Sequence, residues 1–166
     1  MPGRLLIQLN VRGGPLDIVM QISSSQLWLS VQPTLTVGDN LTAMIDNVRT
    51  ISEVLQRYFD GWHFADASLL ESAFHPNAHL YANIGDRLDD DDMKKVLESV
   101  RLRESPSARG EIRHDAILLI DVVNNQTAVA KVQLSIGDKL FTDYLSLIRV
   151  DNRWQIISKI FHISPL

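Results

Sequence analysis

Between Glu111 and Ile163 the chain reads as four strand-like runs joined by very short links, and no other feature restricts its fold as much. The runs are Glu111–Val123, Thr127–Ile136, Lys139–Val150 and Arg153–Ile163, separated by Asn124-Asn125-Gln126, Gly137-Asp138 and Asp151-Asn152. Links of Gly, Asp and Asn supply the positive φ angles of tight hairpin turns. Strands so closely linked pair consecutively, so this part of the chain is an antiparallel meander.

The helical signals precede it. Ile45, Val48, Ile51, Val54, Leu55, Tyr58, Phe59 and Trp62 recur at helical spacing, with Asp46, Arg49, Glu53, Arg57 and Asp60 mostly on the other side. A second helix should start at Asp66 as cap, bury Leu69, Leu70, Ala73 and Phe74, and end at Pro76. Ala78–Ile84 reads as a strand, and a third helix is expected from Asp92 to Leu102. Asp89 to Asp92 would sit at its positive amino end, and Arg101 and Arg103 at its negative carboxyl end. Helices grouped before a meander indicate an α+β domain.

Residues 1–40 are unlike the rest. LLIQLNV from Leu5, LDIVMQI from Leu16 and LWLSV from Leu27 alternate like short strands, broken by Gly13-Gly14-Pro15 and Ser23-Ser24-Ser25. With no neighbouring element to pack on, they are read as an amino-terminal appendage of poor order, and residues 41–166 as the domain.

Composition narrows the function classes. A net charge of -4 over 166 residues gives no electrostatic reason to expect nucleic acid or an anionic membrane as partner. The chain contains no cysteine, which removes thiol catalysis and thiolate metal sites and fits a cytoplasmic location. No apolar run approaches the length of a membrane span, and no signal peptide is read. Phosphate-loop, dinucleotide and nucleophile-elbow patterns are missing, so no cofactor is expected. His75 and His79 have helical metal-ligand spacing, but Pro76 between them forbids the helix. The run Asp89 to Asp92 lacks the alternating ligands and central glycine of a calcium loop.

YFDGWHFADASLLESAFHPNAHLYA from Tyr58, AVAKVQL from Ala128 and FTDYLSLIRVDNRWQIISKIFH from Phe141 resemble the nuclear-transport-factor-2-like (SnoaL-like) superfamily, and within it the putative lumazine-binding family. The resemblance covers Leu41 to His162. It implies a cone-shaped fold, with three helices packed on a curved, mostly antiparallel sheet around an apolar cavity. It also implies pairing as a homodimer through the sheet. Its members include enzymes and plain binding domains, so it names no reaction and carries over no active site.

Candidate site residues come from strand period. Asp143 shares a face with Leu145 and Leu147. His114 shares one with Ala116, Leu118 and Ile120, and His162 with Trp154, Ile156 and Ile160. A carboxylate among leucines can exchange a proton with a nearby imidazole, so Asp143 with His114 or His162 would suit lyase or isomerase chemistry without a cofactor. The plainer alternatives are an aspartate that satisfies backbone amides, a His162 that caps the core beside Phe161 and a His114 at a solvated strand start. Lys159, beside Ile157 and Phe161, either snorkels along apolar surface or binds a ligand's anion. Tyr58, Trp62 and Tyr81 are candidate ligand contacts, against core packing as the default.

The leading expectation is a small-molecule-binding domain with an apolar cavity for a small apolar or aromatic metabolite. A lyase or isomerase using Asp143 with a histidine is the second reading, and a protein–protein module using the outer sheet face the third. Ala128, Ala130, Val132, Leu134 and Ile136 lie on one side of their strand and Val129 on the other. Three helices cover only one sheet face, which is why the other should meet a second copy.

Overall fold

The computed structural model describes residues 4–11, 14–23, 26–27, 39–123 and 125–166. Helix α1 (Asp39–Phe64) is followed by α2 (Ala67–Ala73), strands β4 (Phe74–Ile84) and β5 (Arg87–Asp92), and helix α3 (Met93–Leu102). The meander follows as β6 (Asp115–Val123), β7 (Thr127–Ile136), β8 (Lys139–Val150) and β9 (Arg153–Pro165). Ahead of these lie β1 (Arg4–Val11), β2 (Gly14–Ser23) and β3 (Gln26–Leu27). The sheet order is β3-β2-β1-β6-β7-β8-β9-β4-β5. All pairings are antiparallel except β4 with β9 and β1 with β6. Three helices on a mostly antiparallel sheet make this an α+β fold, as the order of signals in the sequence requires.

The core forms where the amphipathic pattern of α1 meets the inner face of the meander. Val48, Ile51, Val54, Leu55, Tyr58, Phe59 and Trp62 are buried against Ile120, Ala130, Val132, Leu145, Leu147 and Ile156. Each such aliphatic or aromatic side chain contributes roughly 1.5–3 kcal/mol when fully buried. Asp66 caps α2, its Oδ1 accepting from the backbone N–H groups of Ser68 and Leu69 at 2.8 and 3.1 Å. Asp92 caps α3 by accepting from Lys95 N at 2.8 Å. No helix among the described residues is long and apolar enough to cross a membrane.

Several boundaries differ from the expectation. Helix α2 ends at Ala73 rather than at Pro76, because the chain turns extended at Phe74 (ψ 150°) to pair with β9. Asp89 to Asp91 belong to strand β5 and only Asp92 caps α3. Gly85 and Asp86 both have positive φ, and this Gly-Asp hairpin turns β4 back into β5. The same dipeptide, Gly137-Asp138, joins β7 to β8. Strand β6 begins at Asp115 rather than Glu111, whose carboxylate instead holds Arg109 and the Gly137 N–H. The amino-terminal strands find a neighbour that local reading lacked, since Leu6 to Gln8 run parallel to Leu119 to Asp121. The expectation of poor order falls, at residues 1–3, 12–13, 24–25 and 28–38, outside the described residues, as does most of LWLSV.

Gly61 shows how closely α1 and α2 approach. A Cβ there would lie 2.6 Å from Leu70 Cγ and 2.7 Å from its Cδ2, with the Leu70 backbone N at 3.1 Å. Gly61→Ala should therefore destabilise the chain, because an overpacking cost of about 1–3 kcal/mol exceeds the helix-propensity gain of roughly 0.5–1 kcal/mol. Urea denaturation checks this, and an alanine variant at least as stable as the parent would refute the contact.

Candidate functional site

The site grows from an irregularity in the last hairpin. Ser146 pairs with Ser158, but Leu147 pairs with Ile156, which leaves Ile157 as an extra residue in β9. Such a bulge breaks the period of two and turns every later side chain to the other face. Trp154 and Ile156 therefore point into the core before the bulge, and Lys159 and Phe161 do so after it. Lys159 is 3% exposed, an unusual place for an ammonium.

What makes that burial tolerable lies on two other elements. Asp143 of β8 is fully buried, and its Oδ2 sits 3.1 Å from Lys159 Nζ. Tyr58 of α1, also fully buried, donates its hydroxyl to Asp143 Oδ2 at 2.5 Å and accepts from Lys159 Nζ at 2.8 Å. A helix and two strands thus converge on one closed polar cluster. Asp143 Oδ1 is buried without a partner among the described residues. Burial first, and then the Asp143 carboxylate, hold the Tyr58 phenol well above its ordinary value. Burial lowers the Lys159 value, opposed by Asp143.

Lys159 also faces a cavity of about 230 Å³. Its apolar walls are Trp62, Leu80, Ile84, Val96, Leu134, Ile136, Phe141, Phe161 and Ile163, and its polar lining is Asp91, Ser99, Arg103 and Lys159. The Arg103 guanidinium lies over the Trp62 ring, 4.7 Å from its centroid. Arg103 Nε and Nη2 are buried without a protein partner among the described residues, and burial followed by the nearby Arg109 lowers its pKa. With the Asp91 carboxylate paired to Lys95, two cations in a largely apolar lining suit a planar apolar molecule carrying an anionic group. A wider groove of about 300 Å³ lies among α2, β4 and α3. Its charges, Glu71, Lys94 and Arg101, are exposed and already solvated, so the smaller chamber is the better candidate.

The residues singled out in the sequence part company here. Asp143, Lys159 and Tyr58 are brought into direct contact, and Trp62 lines the chamber. The histidines are not brought to Asp143. His162 pairs with Thr142 in β8, on the face opposite Asp143, and is exposed. The bulge at Ile157 put it there, out of line with Trp154 and Ile156. His114 is exposed just before β6, and a second bulge, at Leu118, separates its alternation from that of Ile120. Tyr81 lies on the face of β4 opposite the buried Ala78, Leu80 and Ala82, stacked on His79 at 5.9 Å. Period two holds from Ala78 to Ala82, beyond the register shift between Phe74 and His79, and it is the choice of face that local reading lacked. Arg103 has the pattern of a helix-end charge in the sequence, which hides its place at the chamber. Its one available signal was an arginine directly following the buried face of α3.

Comparison with known proteins agrees with this architecture. A family profile described as putative lumazine-binding matches residues 46–162. The aldolase FrzH of Cladobotryum sp is 24% identical over 110 residues, covering 65% of this chain and 84% of that protein. A nuclear-transport-factor-2-like protein from Shewanella baltica OS155 superposes with a TM-score of 0.66 at 27% identity, covering 74% of this chain and 97% of the other. A second such protein, from Silicibacter pomeroyi DSS-3, gives 0.66 at 16% identity, covering 73% and 98%.

Proposed function

We propose that this chain, which belongs to the putative lumazine-binding family of the nuclear-transport-factor-2-like superfamily, binds a small planar molecule with its anionic group against Arg103 and Lys159. The observation that carries the reading is the guanidinium of Arg103, whose Nε and Nη2 are buried at a largely apolar chamber with no acceptor among the described residues. Buried donors without partners cost free energy, and a ligand carboxylate or acidic heterocycle would supply the acceptors. Lumazine, a flat acidic bicycle, and naphthoate are suitable probes, with the uncharged naphthalenemethanol as control. Binding by calorimetry should favour the anions. Arg103→Met should weaken naphthoate by roughly 10- to 100-fold, the value of about 1.5–3 kcal/mol for hydrogen bonds to a charged group. Equal affinity for the acid and the alcohol would overturn the reading.

A second reading, catalysis without a cofactor, is favoured by the closed cluster of Asp143, Tyr58 and Lys159 beside the chamber. The partner of Asp143 in such chemistry is Lys159, acting through Tyr58, and not a histidine. The likeness to an aldolase supports carbonyl chemistry in particular. The outer sheet face, where Val129, Tyr144 and Ile160 are exposed, supports pairing of two copies.

A further inference from the structure

We infer that Lys159 is a nucleophile that condenses covalently with carbonyl compounds entering the chamber. The inference rests on the chamber being a ligand site and adds a covalent step to it. Four aromatic rings surround Nζ, those of Phe161, Trp62, Tyr58 and Phe141, with centroids at 4.6, 5.2, 5.4 and 5.8 Å. Water is largely excluded, yet the side chain borders open space. The rings and Asp143 favour the ammonium form, while desolvation opposes it and keeps the neutral amine accessible.

The proton traffic has a path. When Lys159 passes its proton to Asp143, Nζ is a free amine next to a carboxylic acid. Attack forms the N–C bond and sends the C=O pair to oxygen. That oxygen takes a proton from Tyr58, which recovers one from Asp143. The substituted nitrogen then returns its extra proton to Asp143. Departure of water, carrying the proton relayed through Tyr58, leaves a protonated imine and an ionised Asp143. Amine and ketone become imine and water, with no oxidant or reductant. Substrates of this class are ketones or aldehydes with a flat apolar body, above all those that also carry an acidic or enolised group for Arg103.

Benzoylacetone, an aromatic β-diketone, is a direct probe, because its condensation with an amine yields a conjugated enaminone with new near-ultraviolet absorption. The full-length chain should gain one enaminone, and peptide mapping should place it on Lys159. Its rate there should exceed that at the exposed Lys94, Lys95 and Lys139 by roughly tenfold or more, reflecting a larger neutral-amine fraction. Lys159→Arg keeps the charge and should lose the product, with benzoylacetone binding to each protein read separately by calorimetry. Binding to the parent without an enaminone overturns the nucleophile and leaves the binding site intact. Label spread evenly over surface lysines also overturns it. Binding to neither protein overturns the ligand-site reading together with it.

Discussion

Asp143→Leu should destabilise the chain by about 3–5 kcal/mol, and adding Lys159→Met should restore most of the loss. In the parent the two charges lie 3.1 Å apart in a nearly water-free core, with Tyr58 bonded to both. Removing the carboxylate alone leaves an ammonium buried without compensation and a phenol without its acceptor. Removing both charges with apolar side chains of similar volume takes away the desolvation cost along with the attraction. Urea denaturation of the parent, both single variants and the double variant forms the cycle that measures the coupling. A double variant no more stable than Asp143→Leu would mean that the aspartate does not hold a buried lysine.

The pH dependence of the same variants follows from the directions of the shifts. Lys159 binds its proton less tightly in the fold than in the unfolded chain, whose lysine value is 10.5. From the lowered folded value up to 10.5 the unfolded state therefore holds more protons, and stability rises with pH. Asp143→Leu removes the carboxylate that opposes this shift, so its rise should begin at lower pH than the parent's. Tyr58 works the other way. Its folded value is raised above 10.0, so its contribution is complete below that pH and is lost as pH rises further.

Two copies should sediment together at micromolar concentration, at twice the 18.7 kDa of one chain, and Ile160→Glu combined with Tyr144→Glu should separate them. Tyr144 pairs with Ile160 across β8 and β9 and with Lys131 across β7. Their side chains share the sheet face opposite Asp143, and Lys131 Nζ lies 5.2 Å from the Tyr144 ring centroid. Val129 is 42%, Tyr144 49% and Ile160 58% exposed on this face, which no helix covers among the described residues. A two-fold interface uses every side chain twice, so losses of roughly 1.5–3 kcal/mol per buried apolar residue weaken association by a hundredfold or more. A monomeric parent in sedimentation equilibrium would refute the pairing.

The sequence by itself determined the helices, the strands of the meander and most of their faces. Periodic burial on α1, the caps Asp66 and Asp92, and the Gly-Asp and Asp-Asn links follow from local chemistry, and local chemistry is what a sequence displays. Asp143 was legible for the same reason. Strand β8 runs without a bulge, so Leu145 and Leu147 correctly predict its inward face. The tertiary structure decided the rest. Where β9 gains its extra residue depends on how it fits β8 and β4 together, and nothing in IISKIFH marks Ile157 as that residue. The slip carried Lys159 inward and His162 outward, replacing an expected Asp–His pair with an Asp–Tyr–Lys cluster. Arg103 is likewise a helix-end charge until β7, β8 and β9 close a chamber around it. Local pattern fixes which residues alternate, but only long-range pairing fixes which face each alternation presents.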